Sequence, residues 1–292
     1  MPGPVAVIVL SHRDPPLVRR LVERILQGRD TVVISHHDPR GPELTLPASD
    51  RVLLAPERHA SAWGQLAFAL TMLRTLRFAR TAVPELSWAL LVSGQDYPCR
   101  PLGDIEDELH ATPHDAFARN FRLDGSPAED VHHWQAVTRR RYLHRRRLPR
   151  THRSIPWRGR HPFSGELGLY AGDVWVNLGS AAVDHVLAQQ ERLPQVARHF
   201  ARCPLPDEGY LATLLLNNAG QLDIASERRR YVRWTPGDSH PAFLTPDDAR
   251  KALASNHFFA RKCDTEQTAE ALDVMDATLD PDQRLSPEPG SA

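Results

Sequence analysis

Several short stretches of this chain concentrate side chains that could do chemistry. In Leu90-Leu91-Val92-Ser93-Gly94-Gln95-Asp96-Tyr97-Pro98 an apolar run ends in a small-residue turn that presents one carboxylate, and a proline then stops regular continuation. A buried strand feeding a polar turn is how an open α/β sheet builds a site at its carboxyl edge. Asp96 has two readings: a turn aspartate bonding its own backbone two residues on, or a carboxylate that meets a ligand. Pro206-Asp207-Glu208 opens a helical pattern, with Asp207 as a candidate N-cap. Acids in a first turn complement the helix dipole, and a carboxylate so placed can also take a proton. Arg261-Lys262 follows the aromatic pair Phe258-Phe259. This is either a solvated pair beside a buried ring or a source of positive charge for an anionic group.

The middle of the chain is basic. No acid lies between Asp130 and Glu166, while ten arginines fall between Arg139 and Arg160, interleaved with Tyr142 and Trp157 and preceded by Trp134. A solvated loop accounts for this, as does an RNA- or DNA-binding surface, where arginines alternate with aromatics. The third reading is a lid whose guanidinium forks hold an anionic substrate. We take the lid as the working expectation, with Arg139, Arg140 and Arg141 as its contacts, because long insertions in compact domains are often functional. No nucleic-acid partner is then expected.

These residues need a scaffold. Apolar runs at 5–10, 31–34, 51–55 and 88–92 read as buried strands, and helical spacing recurs over 17–26 and 63–78. Strands alternating with helices predict parallel βαβ units. The class is therefore α/β, a mostly parallel central sheet flanked by helices, with a Rossmann-like nucleotide-binding half over about 1–125. A single domain over 1–280 is expected, its acceptor and catalytic half beginning near 126. Later segments are weaker: helices at 104–110, 181–190, 207–217 and 246–254, strands at 116–122, 167–170 and 173–177, and a loop-rich 128–162. Residues 281–292 are rich in Pro, Gly and Ser with no apolar face, so a disordered tail is expected.

Lys plus Arg and Asp plus Glu both total 36, so overall charge singles out no partner. Cys99, Cys203 and Cys263 are odd in number and far apart, which gives neither a disulfide framework nor a metal knuckle and favours a reducing compartment. The short apolar run after Met1 lacks a basic flank and reads as a core strand, and nothing approaches the ~18 apolar residues of a membrane span. A cytoplasmic location is expected.

Residues 93–98 resemble the Ser-Gly-x-Asp-(Tyr/Phe)-Pro signature of the Core-2/I-branching glycosyltransferase family. In the same order, residues 206–208 resemble its Pro-Asp-Glu motif, and residues 259–262 its Phe-Ala-(Asn/Arg)-Lys segment. The resemblance runs from about 5 to 264 and implies a GT-A-like fold and inverting sugar transfer from a nucleotide-diphosphate donor to a hydroxyl. The donor it implies is UDP-N-acetylglucosamine, with UDP-xylose as runner-up, and it implies no cofactor. By the same resemblance Glu208 is the general base, and Lys262, with Arg261 beside it, stabilises the diphosphate in place of a metal. The family's second diphosphate-binding cation has no arginine counterpart here; Ser239 or His240 stands at that place, and His240 is assigned to the diphosphate. No Asp-x-Asp follows the opening strand, so no metal is expected. His12 in the first turn and Asp38 in the second are assigned to base and ribose. Ser93, Gln95 and Asp96 are assigned to the nucleotide and sugar, and Trp63 to packing beside the site. Asp173 and Trp175 match the acceptor strand, where Trp175 is either core or a sugar-stacking ring. Two alternatives from other classes remain: a metal-dependent carbohydrate hydrolase or deacetylase on His36, His37 and Asp38, and a nucleic-acid binder on the arginine stretch. The first lacks a second acid beside Asp38, where Pro39 and Arg40 stand.

Overall fold

The computed structural model describes residues 2–61, 64–123, 133–148, 153–157, 159–235, 237–238 and 240–280. Trp63, Ser239 and the tail 281–292 lie outside the described residues. The chain runs β1 (Val5–Ser11), α1 (Pro15–Ile25), β2 (Thr31–His37), β3 (Val52–Leu54), α2 (Leu66–Ala82), β4 (Trp88–Ser93), β5 (Asp96–Pro98), α3 (Leu102–Ala111), β6 (Ala116–Phe117), β7 (Asn120–Arg122) and α4 (His133–His144). It continues through β8 (Arg145–Arg147), β9 (Ser154–Pro156), β10 (Tyr170–Gly172), β11 (Asn177–Gly179), α5 (Ser180–Arg192), α6 (Pro194–Phe200) and α7 (Asp207–Leu216). It ends with β12 (Ile224–Ala225), β13 (Arg230–Val232), α8 (Pro246–Leu253), β14 (Phe259–Arg261) and α9 (Ala269–Leu279). Seven strands form one sheet in the order β12-β6-β11-β4-β1-β2-β3. The pairs β1–β2, β2–β3 and β6–β12 are parallel, and β11 is antiparallel to both neighbours. The α/β class therefore holds. Two compact units divide the chain: Met1–Pro56, Val92–Thr112 and Arg228–Ala292 in the first, Glu57–Leu91 and Pro113–Glu227 in the second.

In the first unit every residue of β1 is buried, and Val5 faces Thr31 while Ser11 faces His37 across the parallel pair. That register ends both strands side by side, so the turns carrying His12 and Asp38 leave from one edge. Helix α1 starts where the Asp14 carboxylate accepts from Leu17 N at 3.2 Å, with Pro15 and Pro16 in the first turn. Leu17, Val18, Leu21, Val22 and Ile25 then bury one face. After β4 the backbone must pass close to β1: Gly94 N donates to Leu10 O at 2.9 Å, and a Cβ on Gly94 would lie 2.8 Å from both Ser11 Cβ and Val18 Cγ2. A second sheet, β13-β14-β5, sets Arg261 opposite Asp96 and Arg230 opposite Phe259.

In the second unit α7 buries Tyr210, Leu211, Leu214 and Leu215. Thr213 Oγ1 accepts from Tyr170 N at 3.2 Å and donates to Tyr170 O at 3.1 Å, which ties this helix to β10. Gly209 lies where a Cβ would come within 2.6 Å of the Phe200 and Tyr142 rings, so only a residue without a side chain lets α7 pack there.

Several expectations need correction. The strand expected over 116–122 is two strands in different sheets, β6 and β7. The loop-rich 128–162 contains α4 and the antiparallel pair β8–β9. The strand expected at 173–177 is confined to Asn177–Gly179, and α6, α9 and the short strands β5, β12, β13 and β14 were not anticipated. All three cysteines are free and buried, and burial pushes the Cys99 and Cys203 thiols up to about 12 and Cys263 higher still. Among the described residues no helix is long and apolar enough to cross a membrane.

Glu106 on α3 shows how the first unit is held together. Its carboxylate is buried and accepts from Arg29 N and Asp30 N, each at 3.1 Å, and from the Thr31 hydroxyl. Glu106→Ala removes the acceptor that these donors share at the start of β2. It should lower stability by about 2–3 kcal/mol, read as a fall in the urea midpoint of this variant against wild type.

Candidate active site

The first unit gathers the residues assigned to the nucleotide. Asp38 is buried; its Oδ1 accepts from Arg40 N and Nε, both at 2.9 Å, and its Oδ2 accepts from Arg40 Nη2 at 2.7 Å. Arg40 itself is exposed, so the pair places a guanidinium at the rim of the turn. His12 is exposed, and its pKa is held below the ordinary value, first by partial desolvation and then by the charge of Arg13, with His37 and Lys262 adding and Asp38 opposing. His12, Asp38 and Lys262 therefore stand within electrostatic reach of one another.

Asp96 is fully buried. Its Oδ2 accepts from Ser93 N, and its Oδ1 is 2.9 Å from Arg230 Nη1 and 3.7 Å from Arg261 Nε. The bond runs back to Ser93, three residues earlier, rather than two residues on, and the same carboxylate is paired with Arg230. Ser93 is buried and its Oγ accepts from Gln95 N at 3.2 Å; Gln95 Nε2 donates to Cys263 O at 3.2 Å and Cys263 N to Gln95 O at 2.8 Å. The signature turn is thus stitched to the segment that carries Lys262. Arg261 turns inward beside Asp96. Lys262 is half-buried with Nζ 5.2 Å from the Phe243 ring centroid, and no carboxylate of the described residues forms an ion pair with it. Burial lowers its pKa, Arg13 and Arg261 lower it further, and Asp264 opposes them. A cation on an aromatic face without an acid partner is suited to an incoming anion. His240 is exposed, and its neighbour Ser239 lies outside the described residues.

The second unit carries the other group. Pro206, not Asp207, is the N-cap of α7, because Pro206 O already accepts from Tyr210 N at 2.8 Å, and no side chain caps the helix. Asp207 is buried in the first turn with Oδ1 lacking a hydrogen-bond partner among the described residues. Burial, and then the Glu208 charge, raise its pKa to about 7. Glu208 is partly exposed, and its Oε2 accepts from Arg141 Nη1 at 2.7 Å. Burial raises the Glu208 pKa, Arg141 lowers it, and Asp173 raises it again, which sets Asp173 near Glu208. Trp175 is half-buried and meets Phe68 edge to face at 5.8 Å, so one part of the ring packs and another stays open.

A profile of the family described as Core-2/I-Branching enzyme matches residues 7–256. The chain belongs to that family. Its fold is GT-A-like, in keeping with the mostly parallel sheet and flanking helices. Among characterised proteins, it is 28% identical over 114 residues to the beta-glucuronosyltransferase GlcAT14B of Arabidopsis thaliana, and 30% identical over 114 residues to GlcAT14A of the same plant. Each match covers 38% of this chain, and 26% and 25% of the respective relative. The chain thus spans about a quarter of the length of those relatives.

Measured against family expectations, the basic stretch is the largest departure. Arg139 Nε donates to Leu123 O at 2.9 Å, Arg140 is exposed, and Arg141 binds Glu208, so the three point to different surroundings. Arg145 bonds Ser154, and Arg146 is buried, donates to Tyr142 O at 3.1 Å and lies 5.3 Å from the Trp157 ring centroid. Arg141 and Arg146 are therefore turned toward the protein, Arg139 and Arg140 stay exposed, and Arg150 and Arg158 lie outside the described residues. The metal-hydrolase alternative loses its ligands. His37 Nδ1 and Nε2 engage Ser11 Oγ and Pro42 O, each at 2.8 Å, and Asp38 is taken by Arg40. Among the described residues no cluster of three or more His, Cys, Asp or Glu is placed to hold a metal ion.

Arg230 and Arg40 were missed in the sequence. The Asp38-x-Arg40 spacing was a usable turn signal, but nothing local pairs Arg230 with Asp96. Arg230→Met leaves the buried Asp96 with only the Ser93 amide and the more distant Arg261 and should cost about 3–5 kcal/mol. Adding Asp96→Asn should recover much of that in the same denaturation assay. Asp207 ionises near neutrality in the fold and near 3.8 when unfolded. Its contribution is therefore favourable at acid pH and is lost as pH rises through about 4 to 7. Asp207→Asn should stabilise the protein more at pH 8 than at pH 4, read from thermal midpoints at the two pH values.

Proposed function

We propose that this protein is an inverting glycosyltransferase that moves one sugar from a nucleotide-diphosphate donor to an acceptor hydroxyl. Family membership over 7–256 supports the reading, and the observation that carries its chemistry is Glu208: a partly desolvated carboxylate at the start of α7 with one oxygen bound by a cation. In the transfer, Glu208 takes the hydroxyl proton as the acceptor oxygen attacks the anomeric carbon. The bond from that carbon to the diphosphate breaks on the opposite face, and the diphosphate leaves with the bonding pair. Lys262 neutralises the charge that develops there, in place of a divalent cation, with Arg261 and His240 assigned to the same group. His12 and Asp38, with Arg40 across the carboxylate, serve the nucleotide, while Ser93, Gln95 and Asp96 hold the turn beside it. Asp173, Trp175, Arg139 and Arg140 are assigned to the acceptor, and an anionic acceptor fits exposed guanidinium groups. The donor proposed first is UDP-N-acetylglucosamine. UDP-glucuronic acid is the second reading, favoured by the names of the two plant relatives.

A panel of UDP-sugars, assayed for binding and for hydrolysis with and without chelator, tests the proposal. One donor should turn over equally well in chelator. Glu208→Gln should cut turnover by about 10²–10⁴-fold with UDP affinity unchanged. Lys262→Ala should weaken UDP binding and slow turnover together. Full activity in the Glu208 variant would remove the base assignment, and no binding to any nucleotide sugar would remove the transferase reading.

A further inference from the structure

Arg141 was assigned to a lid, yet the packing around it leads elsewhere. Its neighbour Tyr142 is buried and its hydroxyl donates to Leu205 O at 2.7 Å, just ahead of the turn into α7. The Tyr142 ring meets Phe200 edge to face at 5.0 Å, and Gly209 lies against both rings. Arg146 Nη1 donates to Tyr142 O from the next turn, and Thr138 is buried one turn before. The stretch of α4 that bears Arg141 is therefore pinned directly against the residues on either side of Glu208. Arg139 and Arg140, two and one positions earlier, are not held in this way.

The contact itself uses one oxygen. Arg141 Nη1 reaches Oε2 at 2.7 Å, and Oε1 takes no hydrogen bond from the described residues. The other groups that face Glu208 are Asp173, from the segment after β10, Asp207 on its own helix and the phenol of Tyr142. Two of these are acids and the third is neutral, so among the described residues Arg141 is the cation that offsets them.

We propose that Arg141 is the positioning residue of Glu208: it fixes Oε2 and keeps the carboxylate ionised, leaving Oε1 to receive the proton. Its role toward an acceptor hydroxyl rests on the transferase reading, but the Arg141–Glu208 coupling does not. Burial favours the protonated acid, which accepts no proton, and the charged hydrogen bond from the pinned Arg141 opposes that shift in favour of the carboxylate. A bidentate clamp would have occupied both oxygens.

The coupling can be measured without any substrate. Carboxyl-¹³C glutamate labelling, with the Glu208 signal assigned by its loss in Glu208→Gln, gives the titration midpoint of the full-length protein. Arg141→Gln should raise that midpoint by about one unit, and Arg141→Lys should return it most of the way. In wild type, the ¹⁵N signals of the Arg141 guanidinium should titrate with the Glu208 midpoint, which keeps the test valid if the Gln variant does not fold. An unmoved Glu208 midpoint in Arg141→Gln, equal shifts in the Gln and Lys variants, or an Arg141 signal that ignores Glu208 would each overturn the proposal. A protein that passes these tests but binds no nucleotide sugar would overturn only the transferase reading.

Discussion

A carboxylate with no access to water organises the first unit. Asp96 must be compensated inside the protein, because an ionised acid without partners in a dry interior is among the most costly arrangements a fold can contain. Its partners come from distant parts of the chain: the backbone of Ser93, the guanidinium of Arg230 and, more loosely, that of Arg261. Meeting the demands of one side chain therefore draws the turn after β4, the strand β13 and the strand β14 together. Lys262 is the next residue after β14, and its direction follows from that assembly. The aspartate in the signature turn acts as an anchor, and the group free to meet an anion is the lysine beside the anchored strand.

The second unit contains an ion pair of a different kind. Asp96 and Arg230 have side-chain exposures of 0% and 2%, whereas Glu208 and Arg141 have 27% and 18%. The sealed pair has no route for protons and can only hold strands in place. The partly open pair retains an oxygen that can exchange a proton with a bound group. Equal chemistry at two depths thus gives a sealed scaffold in one place and, in the other, a carboxylate open enough for the base role proposed for it.

Much of the nucleotide-side scaffold was legible in the sequence, because β1, β2 and β4 are continuous apolar runs and α1 has a clean amphipathic spacing with a capping aspartate and two prolines. Glu208 and Lys262 were legible only through short motifs; their surroundings were not. Arg230 pairs with Asp96 across a long sequence separation, and Arg141 with Glu208 across another, so no local pattern announces either. In the region 128–162, α4 buries only a short polar-bordered face at Thr138, Tyr142 and Leu143 while the run of arginines covers the rest, so its helical spacing does not stand out. Short strands such as β5 and β14 are defined by their pairing in the three-stranded sheet β13-β14-β5, which periodicity cannot show. In α9 the apolar spacing of Ala271, Leu272, Met275 and Leu279 was present and overlooked.

The three thiols have a consequence for where such a protein could work. Thiol oxidation and exchange proceed through the thiolate at an accessible sulfur. Cys99, Cys203 and Cys263 are shielded from solvent and held in the protonated form well past physiological pH. In the folded chain none of these three sulfurs is open to an oxidant, so the thiols would persist in an oxidising lumen as readily as among glutathione. The cysteine count that pointed toward a reducing compartment therefore places no restriction on its surroundings.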